Sequence, residues 1–244
     1  MSQTHVGLFA TCLIDLMRPN IGFATVALLE QAGCQVDVPM EQTCCGQPAY
    51  NNGDLNSSRQ IAQQVITAFE AYDYVVGASG SCMGMLKRHY PELFTEHDGD
   101  WKIKAERFAE KCYELTTFIT EVKPLTVQAS FPHRVTYHDS CSSQRELGIK
   151  HQPRQLLSQV KGLELIEMQE TEVCCGFGGT FSVKYPDIST RMVTNKAENV
   201  QATDADYLVT GDMGCLMNIA GRLHRLGSPV KAFHIAEILA DMAE

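Results

Sequence analysis

The chain has 244 residues, 44% of them hydrophobic, enough for one large or two small domains with proper cores. Its formal net charge of −9 and the lack of any basic run argue against nucleic-acid binding, because phosphate contacts need clustered Lys and Arg. No stretch approaches the roughly 18 consecutive apolar residues of a membrane span. The opening MSQTHVGLFATCLIDLM lacks a basic leader and is broken by Asp15 and Arg18, so no signal peptide and a cytoplasmic setting are expected.

In chain order, the first half reads as strand VGLFA (6–10), helix GFATVALLEQAG (22–33), strand CQVDV (34–38), helix LNSSRQIAQQVITAFEAY (55–72) and strand DYVVG (73–77). PELFTEHDGDW (91–101) reads as an exposed insertion, and CYELTTFITEV (112–122) as an amphipathic segment that places Cys112 in a helix. Two prolines in KPLTVQASFPH (123–133) mark a linker. The second half repeats the pattern: strand RVTYH (134–138), helix HQPRQLLSQV (151–160), strand LELIE (163–167), helix DISTRMVTNKAENVQA (187–202), strands DYLVT (206–210) and PVKAF (229–233), and a closing amphipathic AFHIAEILADM (232–242). Strand–helix alternation predicts an α/β fold of two similar lobes, each a small, mostly parallel sheet flanked by helices, over residues 1–125 and 131–244.

Ten cysteines with no export signal point to metal binding or redox chemistry rather than a disulfide framework. Eight fall into two matching sets: Cys12, Cys44, Cys45 and Cys82, then Cys141, Cys174, Cys175 and Cys215. The gap before the pair differs by one residue between halves and the gap after it by three, and both pairs are followed by glycine, Gly46 and Gly176. VGLFATC matches VTYHDSC, and YDYVVGASGSC matches ADYLVTGDMGC, so the chain is an internal duplication. Each cysteine follows a strand or lies in the loop after one, and the carboxyl ends of parallel strands share one edge of a sheet. Four thiols distant in sequence are thereby expected to meet in each half. Adjacent cysteines on a strand would face opposite ways, so the pairs must sit on turns, for which the glycines supply the backbone freedom. Four thiolates suit either an iron–sulfur cluster or a zinc ion.

On TCLIDLMRP at Cys12, CCGQPA at Cys44, YHDSC at Cys141, CCGFGGTFSVKYPDIS at Cys174 and GDMGCLMNIAGRL at Cys215, the chain resembles the cysteine-rich CCG family. That family includes the B subunit of heterodisulfide reductase and the iron–sulfur subunit of glycolate oxidase. The resemblance spans nearly the whole chain. It implies an iron–sulfur, electron-transferring component that works with other subunits of a complex oxidising L-lactate to pyruvate. It also implies that the eight cysteines Cys12, Cys44, Cys45, Cys82, Cys141, Cys174, Cys175 and Cys215 are the cofactor and metal ligands. The fuller family motif ends in CxxC. Its first position is Ser79 in one half and Asp212 in the other, which leaves four cysteines per half where the five-cysteine version holds a non-cubane cluster. A four-ligand [4Fe–4S] cluster in each half, an oxygen ligand from Asp212, and zinc in one half all stay open. So does catalysis at an open cluster position, in the manner of the disulfide-reducing relatives.

Other residues carry less. Cys34, before a strand, and Cys112 read as structural, as buried free cysteines often are. His138 and Asp139 either adjust the second site by hydrogen bonding or cap a turn; His234 caps or packs. The GFGG run (176–179) is not a GxGxxG nucleotide motif and reads as backbone close to a cluster, its amides facing sulfur, with Tyr185 and Pro186 closing the loop. MGMLK (83–87) and LMNIAG (216–221) read as core-facing helix. No general base with a matched partner stands out, and no flavin or nicotinamide fingerprint, so substrate oxidation by this chain alone is not expected.

Overall fold

A computed structural model of the chain describes residues 3–243. The chain divides into two compact units, Met1–Leu125 and Thr126–Glu244. The first contains β1 (Thr4–Leu8), β2 (Cys34–Asp37), β3 (Tyr74–Gly77) and β4 (Cys112–Glu114), all parallel, in the order β2-β1-β3-β4. The second contains β5 (Arg134–His138), β6 (Glu164–Leu165), β7 (Tyr207–Thr210) and β8 (Lys231–His234), again all parallel, in the order β6-β5-β7-β8. The registers match as well: Val6 lies opposite Tyr74, and Val135 opposite Tyr207. The duplication read from the cysteines is therefore a duplication of the sheet.

Parallel strands covered by helices are buried on both faces and read as continuous apolar runs. Val75 and Val76 in one unit and Leu208 and Val209 in the other are fully buried accordingly. The flanking helices carry apolar stripes at helical spacing. Helix Asn20–Gln31 buries Ile21, Ala24, Thr25, Leu28 and Leu29. Helix Leu55–Ala68 buries Ser58, Ala62, Val65 and Ile66, and Asp54 caps it by accepting from the Ser57 amide at 3.1 Å. In the second unit, helix Pro186–Gln201 starts on a proline, where no intrahelical N–H bond is lost. Its Val193, Ala197 and Val200 pack with Ile219 and Leu223 of helix Met213–Arg225. Each such buried Val, Leu or Ile contributes roughly 1.5–3 kcal/mol relative to exposure.

In each unit the chain leaves the first strand for a neighbour on one side, then returns to a strand on the other. Beyond the carboxyl ends of β1 and β3, and of β5 and β7, this reversal opens the crevice where α/β sheets bind ligands.

Three expectations need correction. Cys112 is not helical; it opens β4, and a helical turn begins only at Leu115. Three residues are too few for a strand to show its alternation, and the apolar run continues into the helical segment. Residues 91–101 are not an exposed insertion throughout, since Leu93 and Phe94 are buried and Phe94 stacks on Trp101 with ring centroids 6.1 Å apart. Residues 127–131, between the two prolines, are pinned to the second unit: the Val127 amide donates to Gln159, the Lys161 amide to the Ala129 carbonyl, and the Phe131 amide to the Lys161 carbonyl.

Candidate metal centres

In the first unit, Cys12 begins the short helix after β1, Cys44 and Cys45 sit on the turn after β2, and Cys82 lies in the first turn of the helix after β3. The four thiols form one connected chain. Cys44 is hydrogen-bonded by the Cys12 and Cys45 thiols, and Cys45 Sγ stands 3.5 Å from Cys82 Sγ. In the second unit Cys174 is hydrogen-bonded by Cys141 and Cys175, and Cys175 in turn contacts Cys215. The order of contacts is the same in both.

These contacts set the charge. Thiol donation from Cys12 and Cys45 pulls the Cys44 pKa down to about 2, and the same arrangement around Cys174 does likewise. Their partners move the other way: Cys12, Cys45, Cys141 and Cys175 are held up as thiols, first by donating to the neighbouring sulfur and then by burial. Cys215 is lowered to about 7, chiefly by its hydrogen bond with Cys175 and to a lesser extent by His138. Backbone amides add to this. Gly176 N–H donates to Cys174 Sγ at 3.3 Å, the Phe177 amide faces Cys175, and the Gly46 amide faces Cys44. The GFGG backbone does approach the sulfurs, as its sequence suggested.

The turn after each pair depends on its glycine. Gly46 has φ +80° and Gly176 φ +84°, in the region side chains rarely adopt. A β-carbon on Gly176 would also stand 2.8 Å from Met192 Cβ and 2.9 Å from the Ser189 carbonyl oxygen. Ser189, whose hydroxyl donates to the Gly176 carbonyl at 2.8 Å, anchors this loop. Tyr185 does not close it: that ring is exposed and packs on Phe181.

Ser79 and Asp212 turn out to be helix caps. Ser79 Oγ accepts from the Cys82 amide at 3.4 Å, and Asp212 Oδ1 accepts from the Gly214 and Cys215 amides at 3.0 and 3.4 Å. Both orient the helix that carries the last cysteine. Asp139 is not a cap. Its buried carboxylate takes both ends of the Arg154 guanidinium at 2.9 Å, and Arg154 also binds Glu167. In the first unit Ala10 stands where Asp139 does, and its amide donates at 2.9 Å to Gln42, which in turn donates to the Leu8 carbonyl.

Two supports gave no sign in the sequence. The Tyr90 hydroxyl donates to the Cys45 carbonyl at 3.0 Å, and the Asn218 amide donates to the Cys175 carbonyl at 2.9 Å. They fix the same atom in each unit from different residues at unmatched offsets. His138, at the end of β5, is wholly buried, and a ring nitrogen lies within 4.8 Å of both Cys175 Sγ and Cys215 Sγ. Of the cysteines outside the sets, Cys34 and Cys112 are buried strand residues, away from these groups in sequence and held as thiols by burial. His234 caps the last helix, accepting from the Ala236 amide at 3.2 Å.

A doubled parallel α/β lobe with a cysteine quartet at each switch point defines a duplicated cysteine-rich domain protein, and the donor chemistry suits metal or cluster binding. This chain belongs to the CCG cysteine-rich domain family, which matches residues 6–87 and again residues 135–220. It is 52% identical over 235 residues to "Lactate utilization protein A" of Oceanobacillus iheyensis, covering 96% of each chain. It is 53% identical to the protein of that name from Geobacillus sp. (strain WCH70), covering 96% of this chain and 98% of that one. The fold is also that of a solved hypothetical protein from Helicobacter pylori, with a TM-score of 0.69 at 12% identity; the match covers all of this chain and half of that one. No helix among the described residues is long and apolar enough to cross a membrane.

Proposed function

We propose that each lobe holds one cysteine-ligated iron–sulfur cluster, a [4Fe–4S] cluster on Cys12, Cys44, Cys45 and Cys82 and another on Cys141, Cys174, Cys175 and Cys215. The protein then serves as the electron-transfer component of a cytoplasmic system that oxidises L-lactate to pyruvate. One observation carries the reading: two sulfur quartets, assembled from segments far apart in sequence, occupy the same switch point with the same order of contacts. The names of the relatives support the lactate setting.

A bound cluster supplies single-electron chemistry. The chain's own part is to place and tune the sulfurs. The CCG turns bring both members of each pair to one side, the Gly46, Gly176 and Phe177 amides stabilise thiolate charge, and Ser79 and Asp212 hold the helices bearing Cys82 and Cys215. Cys12 is exposed, and Leu16, Met17 and Met40 near the first quartet in sequence and Val173, Val183 and Ile188 near the second are exposed apolar residues. They are suited to contact the other subunits with which electrons are exchanged.

Zinc in one lobe has a single observation on its side. The 3.5 Å between Cys45 Sγ and Cys82 Sγ is close to the edge, about 3.8 Å, of a tetrahedron with Zn–S bonds of ~2.3 Å. Purification without air followed by iron, acid-labile sulfide and zinc quantitation separates the readings. Brown protein with iron and sulfide in equal amounts is expected; colourless protein with zinc in both lobes refutes the electron-transfer role.

A further inference from the structure

The registers of the two sheets make the lobes comparable residue by residue. Val6 and Val135 lie opposite tyrosines at the same place, so Phe9 and His138, each three residues further on, are equivalent. Phe9 is an ordinary core residue, buried and packed on Phe69 with centroids 5.8 Å apart. His138 fills the same place with an imidazole. It is fully buried, its ring hydrogen-bonds toward the Cys215 sulfur, and neither Nδ1 nor Nε2 has a partner apart from that sulfur. A buried imidazole whose only polar neighbour is a sulfur of the site is rare enough to call for a reason, an ion among them. What the ring faces supplies the reason. A ring nitrogen, Cys175 Sγ and Cys215 Sγ lie within 4.8 Å of one another, a separation that small side-chain shifts bring within reach of one metal group. His138 is the only histidine among the described residues that shares such a donor group with the cysteines.

We propose that a ring nitrogen of His138 is a ligand of the second lobe's metal group, so that this lobe holds a mixed cysteine–histidine centre while the first holds an all-thiolate one. The inference rests on the reading that the second lobe binds metal, and it adds a ligand that the cysteine pattern does not contain. Neutral imidazole in place of a thiolate lowers the negative charge on the metal group, and centres in which histidine replaces cysteine sit at higher potential than all-cysteine ones. The two centres are then unequal, the second having the higher potential.

The test uses the full chain purified without air, with Cys44→Ser and Cys45→Ser silencing the first lobe and histidine labelled with 15N. Pulsed electron paramagnetic resonance of the reduced protein is expected to show a strongly coupled nitrogen that changes with the label and is lost in His138→Phe, the residue of the first lobe. The His138→Phe potential is expected to fall toward that of the first lobe. If the second lobe contains zinc, cobalt(II) exchanged into it gives the same readout. Iron or cobalt bound there with only weak nitrogen coupling, as from an N–H···S contact, overturns the ligand assignment and leaves the metal-binding reading standing. A second lobe that binds no metal overturns both. Should His138→Phe fail to fold, the labelled parent protein still decides, because the coupling is measured with His138 in place.

Discussion

The two lobes share their sulfurs, their CCG turns and their sheet, but not the side chains that support them. The first steadies the end of its opening strand with Gln42, the second with the Arg154–Asp139–Glu167 group. Ser79 caps one cysteine-bearing helix, Asp212 the other; Tyr90 holds one pair's carbonyl, Asn218 the other's. Phe9 stands where His138 stands. The lesson is that the topology sets where the sulfurs go, because strand ends at a switch point converge whatever surrounds them. The supports need only hold a given atom in place, and different side chains can do that.

Substitutions that hit one lobe sharpen the contrast. Arg154→Ala leaves the Asp139 carboxylate buried without its cation, which is expected to destabilise the second lobe by roughly 3 kcal/mol. Gln42→Ala removes only neutral hydrogen bonds and is expected to cost the first lobe about 1 kcal/mol. Urea unfolding of the two variants, followed by probes placed in each lobe, checks the asymmetry; equal losses would break it.

Acid is expected to weaken both centres. Cys12 and Cys45 in one lobe, and Cys141 and Cys175 in the other, are held as thiols and must release protons to ligate metal, whereas Cys44 and Cys174, near 2, are already thiolate. Affinity therefore rises with pH through the neutral range, by about tenfold per unit for each proton released. Cobalt(II) titrations of metal-free protein at several pH values measure it, and a flat profile contradicts the assignment.

The glycines differ more quietly. Alanine at Gly46 must accept a left-handed φ, a loss of about 1 kcal/mol. At Gly46 the new β-carbon meets only the Ile61 side chain, at 3.2 Å, whereas at Gly176 it stands under 3 Å from Met192 Cβ and the Ser189 carbonyl oxygen, so Gly176→Ala is expected to lose about 1 kcal/mol more. Smallest of all is the exchange of caps. Asp212→Ser and Ser79→Asp each keep a good capping oxygen and are expected to shift stability by a few tenths of a kcal/mol. A large loss of metal from Asp212→Ser alone would instead make its carboxylate a ligand.

Much of this architecture is legible in the sequence because it is written twice. Matched spacing located Cys12, Cys44, Cys45 and Cys82 against Cys141, Cys174, Cys175 and Cys215, and strand–helix alternation placed each at a strand end. What escaped is what the halves do not share or what is too short to show a period. β4 spans Cys112–Glu114 and merges with the helical segment after it. Leu93 and Phe94 sit in a polar, unpaired stretch that conceals their burial. Tyr90 and Asn218 act through contacts that no spacing rule links to the pairs. The sequence marks His138 only as a hydrogen-bonding or capping residue, and a closer comparison of the halves says more. Setting VGLFATC against VTYHDSC puts a histidine where the other half has a core phenylalanine, and that mismatch in a matched frame marks a polar group with something to face.

The central claim is that each quartet gathers one metal group of its own. Iron and sulfide contents of the protein purified without air, compared with those of Cys44→Ser, Cys174→Ser and the double variant, test it most directly. Each single substitution is predicted to remove about half of the iron and the double substitution nearly all of it. Full iron in either single variant, or its complete loss from one of them, would contradict two independent centres.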